Sequence, residues 1–254
     1  MVKKHNDTQF YENRFSYSKL SSFNNCKLGY KKRYIDNEKG IGNCFSSYGT
    51  LLHSLLERYA NGEISLKDLP EIYQWEFDAF VTEPFPSFKY CKNMRELYYK
   101  QGLDFLNNFQ GFSDIKVLDV ETKFEIPLFD WTFTGVIDFT FTRPKTDKLI
   151  LRDWKSKSSF ASKKEEKEYR RQLYLYCAFL KEKYGRFPDE LEFFLIRKNK
   201  IVKSDFNNDD YSEALDWANN TVREIRECWV YPPSPDPFFC NQLCNHRPTC
   251  AHKA

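Results

Sequence analysis

Residues 131–155 read WTFTGVIDFTFTRPKTDKLILRDWK, and this stretch decides the fold. Its two ends, 131–142 and 148–155, are rich in β-branched and aromatic residues, which predicts two strands. The intervening Arg-Pro-Lys-Thr-Asp favours a turn, so we predict an antiparallel hairpin centred near residue 145. In the first strand, we expect the alternating apolar residues to share one side of the sheet; these are Phe133, Ile137, Phe139 and Phe141.

Two carboxylates face each other in this predicted hairpin. If the strands pair about the centre of the turn, facing residue numbers sum to about 291, which places Asp138 opposite Asp153. Lys155 lies two residues further along and shares the face of Asp153. Opposed like charges are destabilising, and Mg²⁺ or Mn²⁺, which binds carboxylate oxygens, would remove the repulsion. The spacing leaves one alternative open, in which both aspartates are surface residues paired with Lys155 and Arg152.

Helical patterns lie on both sides of the hairpin. Apolar periodicity predicts helices before it at 16–36, 48–60, 68–83 and 91–110, and after it at 165–184 and 209–229. Further strands are predicted at 117–126 and as a pair within 191–203. This order predicts the α/β class, with a central mixed sheet flanked by helices.

The composition excludes several classes of protein. The 254 residues are 41% hydrophobic and 30% charged, which fits neither a disordered chain nor a coiled coil. No apolar run reaches the roughly 18 residues of a membrane helix, and the N-terminus lacks the apolar core of a signal peptide. We therefore expect a cytoplasmic protein of a bacterium, or of the host cytoplasm if phage-encoded, without membrane association. A formal charge of +3 does not by itself indicate a nucleic-acid partner.

Two of the predicted helices carry polar candidates for a site. His53 lies among leucines, and a buried imidazole needs a hydrogen-bond partner or a metal, although a helical histidine alone is more often a satisfied core residue. Gln172 and Tyr176 are four residues apart and therefore share a helix face. The basic start of their helix is typical either of a solvated helix end or of phosphate contact; its cations are Lys163, Lys164, Lys167, Arg170 and Arg171.

Taken in order, these residues resemble a known family. The pattern is Gly49-x-x-x-His53-x-x-x-Glu57, then Gly135-Val136-Ile137-Asp138, then Asp153-Trp154-Lys155, then Gln172-x-x-x-Tyr176. It resembles the PD-(D/E)XK nuclease superfamily. More narrowly, it is similar to the RecB-type branch, which includes the AddB nuclease domain and the CRISPR-associated adaptation nucleases. A single motif of this kind is weak, whereas four in the right order are specific.

The resemblance implies a role for each residue. Mg²⁺ or Mn²⁺ would be held by His53, Asp138, Asp153 and the Trp154 carbonyl. Lys155 would be the catalytic lysine, with Gln172 and Tyr176 beside the site, where they help to place Lys155 and the DNA. The predicted catalytic set is therefore Lys155, Asp138, Asp153, Gln172 and Tyr176. Glu57 fits the histidine-helix pattern without a fixed role, and Glu121 is a further acid that we do not count among the ligands.

The cysteines suggest a second metal centre. Eight cysteines in a cytoplasmic chain argue against disulfides, because the cytosol keeps thiols reduced. The segment Ser16-x-Ser18-x-x-x-x-Phe23-x-x-Cys26 resembles the opening of iron–sulfur nucleases of this branch. That resemblance implies a [4Fe–4S] cluster on Cys26, Cys240, Cys244 and Cys250, although the tail spacing C-x3-C-x5-C is one residue longer than the branch's C-x2-C-x5-C. Zinc is the alternative, with His246 and His252 as further ligands.

These expectations divide the chain into three segments. Residues 1–47 would form a helical segment that contributes one cluster cysteine, 48–231 the nuclease core, and 232–254 the cysteine-rich tail, with both terminal segments joined at the cluster. The predicted function is a metal-dependent DNA nuclease, an exonuclease acting on DNA ends or single strands in recombination, repair, phage replication or CRISPR adaptation. Because the sequence contains no G-x-x-x-x-G-K-[ST] loop, any helicase, recombinase or CRISPR adaptation protein would be a separate partner. Two alternatives stay open: a catalytically silent DNA-binding protein of this fold, and a zinc-stapled RNA-processing factor.

Overall fold

A computed structural model describes residues 13–252, so the outermost parts of the two predicted terminal segments lie outside the described residues. Within this range, the strands form one mixed sheet and are β1 (Arg14–Ser16), β2 (Lys116–Leu128), β3 (Trp131–Arg143), β4 (Lys148–Lys155), β5 (Glu190–Leu195) and β6 (Lys200–Asp205). One edge of β3 pairs with antiparallel β2 along nearly its whole length. The other edge pairs with parallel β1 at the start of β3 and with antiparallel β4 at its end. Parallel β5 and then antiparallel β6 extend the sheet beyond β4. The predicted central mixed sheet is confirmed.

Helices cover both faces of this sheet. They are α1 (Tyr17–Asn25), α2 (Lys27–Tyr30), α3 (Cys44–Ala60), α4 (Leu69–Phe80), α5 (Met94–Asn108), α6 (Lys163–Tyr184) and α7 (Asn208–Glu227). Apolar residues of α3, α4 and α5 form a buried cluster on one face, and those of α6 and α7 form another on the opposite face. Three shorter helical turns are Lys31–Ile35, Ile196–Lys198 and Phe239–Leu243. Over residues 13–252, no helix has the length and apolar character needed to cross a membrane.

The helix predicted over 16–36 is wrong in one respect, because it is interrupted at Cys26. The backbone of Cys26 is extended, with φ −158° and ψ 106°, and α1 ends there. Its Sγ atom accepts a hydrogen bond from the Gly29 N–H at 3.4 Å, which caps the start of α2. Ser16 caps the start of α1, since its Oγ accepts a hydrogen bond from the Lys19 N–H. The other predicted helices and strands are present, the strand at 148–155 with the predicted ends and the rest with shifted ends.

The predicted register of the central hairpin is confirmed. The β3–β4 ladder runs from the pair Phe139–Arg152 to the pair Arg143–Lys148, with the expected sum of residue numbers. The prediction that the apolar residues of β3 share one side is wrong. Phe133 and Ile137 pack in the cluster with α6 and α7, whereas Phe139 and Phe141 pack with α3, α4 and α5. The strand therefore changes the side of its apolar residues at Asp138.

The C-terminal tail lies against the N-terminal segment. The Leu28 N–H donates to the Pro232 carbonyl at 3.3 Å, and the Ile41 N–H donates to the Asn245 carbonyl at 2.9 Å. A Cβ at Gly40 would lie 2.5 Å from the Cβ of Asn245, so glycine permits this close approach. The chain thus brings residues from its two ends together beside the sheet.

Candidate metal centre

Three side chains converge where α3, β2 and β3 meet. His53, Glu121 and Asp138 each offer one ligand atom, and these atoms lie within 4.8 Å of one another. His53 Nδ1 is 3.1 Å from Glu121 Oε1 and 3.6 Å from Asp138 Oδ2. One imidazole and two carboxylates form a donor set that suits Mn²⁺ or Mg²⁺. Of the residues that the structure describes, this is the group of three His, Cys, Asp or Glu side chains close enough to hold one ion.

The main chain of Trp154 orients two members of this group. Its N–H donates to Asp138 Oδ2 at 2.8 Å, and its carbonyl lies 3.0 Å from His53 Nε2. His53 donates to that carbonyl through Nε2, so a metal ion that displaces the Nδ1 proton would meet an Nδ1 lone pair directed towards both carboxylates. The resulting tautomer is the one that a metal ligand requires, held by the kind of partner that commonly fixes ligating histidines. The Trp154 carbonyl, which the resemblance implies as a metal ligand, therefore accepts a hydrogen bond from His53 in this structure.

Glycines allow the helices to approach the sheet at the site. A Cβ at Gly49 would lie 3.2 Å from Ser156 Oγ, so this glycine lets α3 pass close to the end of β4, one turn before His53. A Cβ at Gly135 would lie 2.6 Å from the Phe124 ring and 2.9 Å from the Tyr176 ring. Both glycines belong to the motifs that the sequence singled out, and both are explained by close packing.

Lys155 is fixed on the other side of the group. Its Nζ lies 2.7 Å from Asp153 Oδ2 and donates to Gln172 Oε1 at 3.1 Å. Gln172 Nε2 in turn donates to the Tyr176 hydroxyl at 2.9 Å. Asp153 is therefore paired with Lys155 and lies outside the group of three ligand atoms. Its role as a metal ligand stays a prediction.

The charges of these residues act strongly on one another. Burial, and next the charge of Asp153, raises the pKa of Asp138. Burial alone would lower the pKa of His53, but Asp138, Glu121 and Asp153 raise it to about 9. Burial also lowers the pKa of Lys155, yet Asp153 and Asp138 outweigh it, so the pKa is raised. Three carboxylates thus share two cations, and a divalent ion would relieve the remaining repulsion.

The four predicted cluster cysteines come from both ends of the chain and line one cavity; they are Cys26, Cys240, Cys244 and Cys250. Burial first, and then the charges of the other three as thiolates, raises the pKa of Cys244. His246, which is buried, and the exposed His252 line the same cavity. Of the remaining cysteines, Cys44 and Cys177 are buried and Cys91 and Cys228 partly so.

This cavity also reaches the candidate metal centre. It has a volume of about 1050 Å³, and Asp138, Gln172 and Tyr176 line it together with the four cysteines. A second cavity of about 410 Å³ is lined by His53, Glu121 and Glu57, with serine and threonine hydroxyls around them. The group of three ligands therefore has side chains in both cavities.

Basic residues occur at the start of α6, where phosphate contact stays a prediction, and around the large cavity. Those at the start of α6 lie beside acids: Lys164 with Glu168, Lys167 and Arg171 with Glu213, and Arg170 with Glu166. The fifth, Lys163, begins α6. The large cavity is also lined by cations that sequence reasoning missed, namely Arg14, Lys32, Arg33 and Lys123, of which Arg14 pairs with Glu125 and Lys32 with Glu38. No local signal marked them, because they come from separate segments of the chain.

Glu121 is the member of the group that the sequence analysis set aside. The β2–β3 ladder pairs Leu128 with Trp131 across a two-residue turn, which places Glu121 opposite Asp138. The pairing arithmetic that located Asp153 finds Glu121 only with the observed turn, because the predicted strand end at residue 126 would have placed Asp119 opposite Asp138. Glu121 also has a positive φ of 42°, a conformation that is strained for a non-glycine residue and is often found at functional sites.

The mixed sheet presents two aspartates and a lysine beside a histidine helix, in the order that the resemblance implies. The model of the PD-(D/E)XK nuclease superfamily matches residues 14–251, and the chain belongs to this superfamily. A crystal structure of a putative exonuclease from Eubacterium rectale has a TM-score of 0.54 and 13% identity, covering 100% of this chain and 96% of the other, and it shares the fold. The structure of SSO0001 covers 100% and 90% at 15% identity with a TM-score of 0.42. No curated protein sequence matches the chain significantly.

Proposed function

We propose that the chain is a Mg²⁺- or Mn²⁺-dependent deoxyribonuclease that hydrolyses phosphodiester bonds from DNA ends or along single strands. The observation that carries the proposal is the convergence of His53, Glu121 and Asp138 beside an ordered Lys155. A catalytically silent DNA-binding protein has no need to hold three carboxylates and a lysine in one buried group, because such a group costs stability without a ligand.

The ligand set has a defined task in this reaction. When bound, a divalent cation polarises a phosphoryl oxygen and lowers the pKa of a water molecule. His53, Glu121 and Asp138 would hold the cation, and Asp153 and the Trp154 carbonyl are the further ligands that the superfamily resemblance implies. Because the Trp154 main chain fixes two of the side chains, little reorganisation is needed when the ion binds.

Lys155 would act on the substrate itself. Its ammonium group is poised to stabilise the negative charge that grows on the phosphate oxygens as water attacks, and to orient that water. Asp153 and Gln172 hold the ammonium group, and Tyr176 holds Gln172 in turn. Low solvent exposure at the side chain of Lys155 strengthens this electrostatic effect, since 16% of it is accessible.

The large cavity supports a strand or a strand end as substrate. It lies between β1, α1, β3 and the C-terminal tail, and it contains Asp138 together with four basic residues, Arg14, Lys32, Arg33 and Lys123. A positively charged groove that follows one backbone is typical of single-strand binding. A covalently closed duplex has no end to enter such a cavity, which favours exonuclease action.

We also propose that Cys26, Cys240, Cys244 and Cys250 hold a [4Fe–4S] cluster. Four thiolates bound to one zinc ion at 2.3 Å would lie only about 3.8 Å apart. Cys26, Cys240, Cys244 and Cys250 come from both ends of the chain and line one cavity, and four thiolates also suit a [4Fe–4S] cluster, which holds its ligands further apart. The cluster would join residues 1–47 and 232–254 at the side of the 48–231 core and close a long loop.

The proposed nuclease would work in the cytoplasm with partners that expose DNA ends or single strands. A helicase, a recombinase or a CRISPR adaptation protein would supply such a substrate, as would phage replication. These roles share one requirement, which is removal of nucleotides from an accessible strand.

The test is digestion of end-labelled linear single-stranded and double-stranded DNA beside closed circles, with Mn²⁺, Mg²⁺ or EDTA, by anaerobically purified protein. Metal-dependent loss of linear DNA with circles spared supports the proposed exonuclease. Cleavage of circles as fast as of linear DNA would overturn the requirement for ends. DNA binding without cleavage in any metal would favour the silent binding protein, and a matching panel of RNA strands tests the RNA-processing alternative.

A further inference from the structure

Exposed aromatic side chains form a surface beside the large cavity. Phe88, Tyr90, Phe238 and Phe239 are 38%, 92%, 48% and 37% exposed. The rings of Phe88 and Phe238 lie 6.2 Å apart between centroids, so the segment before α5 and the C-terminal tail contribute to one surface. We call these four residues the aromatic platform. Water-exposed rings in a group of this kind commonly mark a binding surface.

The segment before α5 presents its side chains on a tight turn. Phe88 and Cys91 exchange main-chain hydrogen bonds of 3.3 and 3.0 Å, which leaves Lys89 and Tyr90 at the tip. Lys89 Nζ lies 5.6 Å from the centre of the Tyr90 ring. Lys92 follows directly and is exposed. The tip therefore combines the most exposed ring of the platform with two cations.

The platform is continuous with the cavity that reaches the metal centre. Phe239 lines that cavity and begins the helical turn Phe239–Leu243. Asp138 and Gln172 line the same cavity. A strand that lies on the platform thus has a route along one cavity wall to the candidate metal centre.

We propose that the aromatic platform binds the bases of single-stranded nucleic acid outside the cleavage site, while Lys89 and Lys92 contact its phosphates. Exposed rings accept any unpaired base by stacking, whereas duplex bases are already stacked on each other. The flanking lysines give the surface the charge that a polyanion requires, which favours a nucleic-acid strand over a protein partner. The inference rests on the proposed function, because the bound strand is the nuclease's substrate.

The first test measures binding of a fluorescein-labelled single-stranded oligothymidylate of about 20 nucleotides by fluorescence anisotropy, with the full chain in EDTA. Tyr90→Ala and Phe238→Ala should each weaken binding roughly 5- to 50-fold, because each removes one stacking ring. Tyr90→Phe keeps the ring and should bind like the wild type. The matched control is Trp75→Ala on α4, since Trp75 is 74% exposed and lines neither cavity.

The second test separates the platform from the metal centre. Cleavage of a trinucleotide, which offers few bases for stacking, should change less in Tyr90→Ala than cleavage of the long strand, for which the KM should rise. Wild-type affinity for the oligothymidylate in both alanine variants would overturn the proposed strand binding by the platform and would favour a protein partner for its exposed rings. Ring-dependent binding by a wild-type protein that cleaves no DNA would uphold the platform and overturn the proposed function instead.

Discussion

The main-chain N–H of Trp154 donates a hydrogen bond to the carboxylate of Asp138 at 2.8 Å. The carbonyl of the same residue lies 3.0 Å from His53 Nε2, so one residue of β4 orients ligands from β3 and α3. A main-chain contact survives substitution of the Trp154 side chain. The orientation of these two ligands is therefore a property of the hairpin register, which the β3–β4 ladder fixes.

Glu121 is a proposed metal ligand whose backbone has a strained, positive φ, so its substitution should affect both metal affinity and stability. Glu121→Gly should remove the carboxylate and relax the positive φ, so in EDTA the free energy of unfolding should increase by about 1 kcal/mol. Affinity for Mn²⁺ should fall at least about tenfold. Chemical denaturation and calorimetric titration measure these two quantities. Glu121→Gln is the matched control, which should lose affinity without gaining stability; equal Mn²⁺ affinity in both variants and the wild type would contradict the ligand role.

Variants of Lys155 and Gln172 should distinguish a catalytic role from a positioning role. Lys155→Ala is expected to lower kcat on linear DNA by roughly 100-fold or more, because charge on the phosphate loses its stabilising partner. Gln172→Ala leaves the ammonium group in place but removes one of its two holders, so a loss of about tenfold in kcat with little change in KM is expected. Steady-state kinetics on end-labelled DNA provides the measurement. An effect of Gln172→Ala confined to KM would speak against positioning.

His53 gives the metal-free protein a defined pH dependence. Its pKa in the folded protein is raised to about 9 from an ordinary value of 6.5, so the folded state binds the proton more tightly. The resulting stability is fully present below pH 6.5 and is lost as the pH rises through about 9, by about 1 kcal/mol per pH unit between them. Denaturation in EDTA across this range should reveal the slope, and His53→Gln should reduce it to the part that the raised pKa of Asp138 contributes. Saturating Mn²⁺ should remove it, since the ion replaces the proton; the same slope in His53→Gln would refute the assignment.

The cysteine group is expected to stabilise the chain through its metal. Cys244→Ser should lower iron content and the melting temperature of anaerobically purified protein, because the link between the two ends of the chain is lost. Cys228→Ser is the matched control, since Cys228 contacts the Val230 carbonyl and lies outside the cavity. Iron analysis and thermal melting provide the readouts. Zinc in place of iron would support the alternative, and unchanged metal content and melting temperature would refute both.

The hairpin shows how far the sequence alone could lead. Turn chemistry and strand composition were enough to predict the register that brings Asp138 towards Asp153, because side chains in a ladder repeat with a fixed period. The prediction that the apolar residues of β3 share one side failed at Asp138, because it assumes a regular strand. At that point β3 changes the side of its apolar residues, opposite the left-handed backbone of Glu121.

Other parts of the site depend on contacts between distant segments. Arg14 and Lys123 line the large cavity, but more than a hundred residues separate them and no periodic pattern links them. The break at Cys26 was hidden for a related reason, because a helical pattern continues on both sides of it. Local propensity predicts the elements, whereas tertiary packing decides which cations share a cavity.

The most direct measurement is the rate of cleavage of end-labelled single-stranded DNA by the wild type and Asp138→Asn, as Mn²⁺ is titrated from EDTA to saturation. The asparagine keeps an oxygen for the Trp154 N–H but lacks the negative charge. We expect Mn²⁺-dependent cleavage by the wild type and a rate lower by at least about 100-fold in the variant, with an equal or higher melting temperature in EDTA. Equal rates for the two proteins, or cleavage that persists in EDTA, would contradict a divalent cation at this centre.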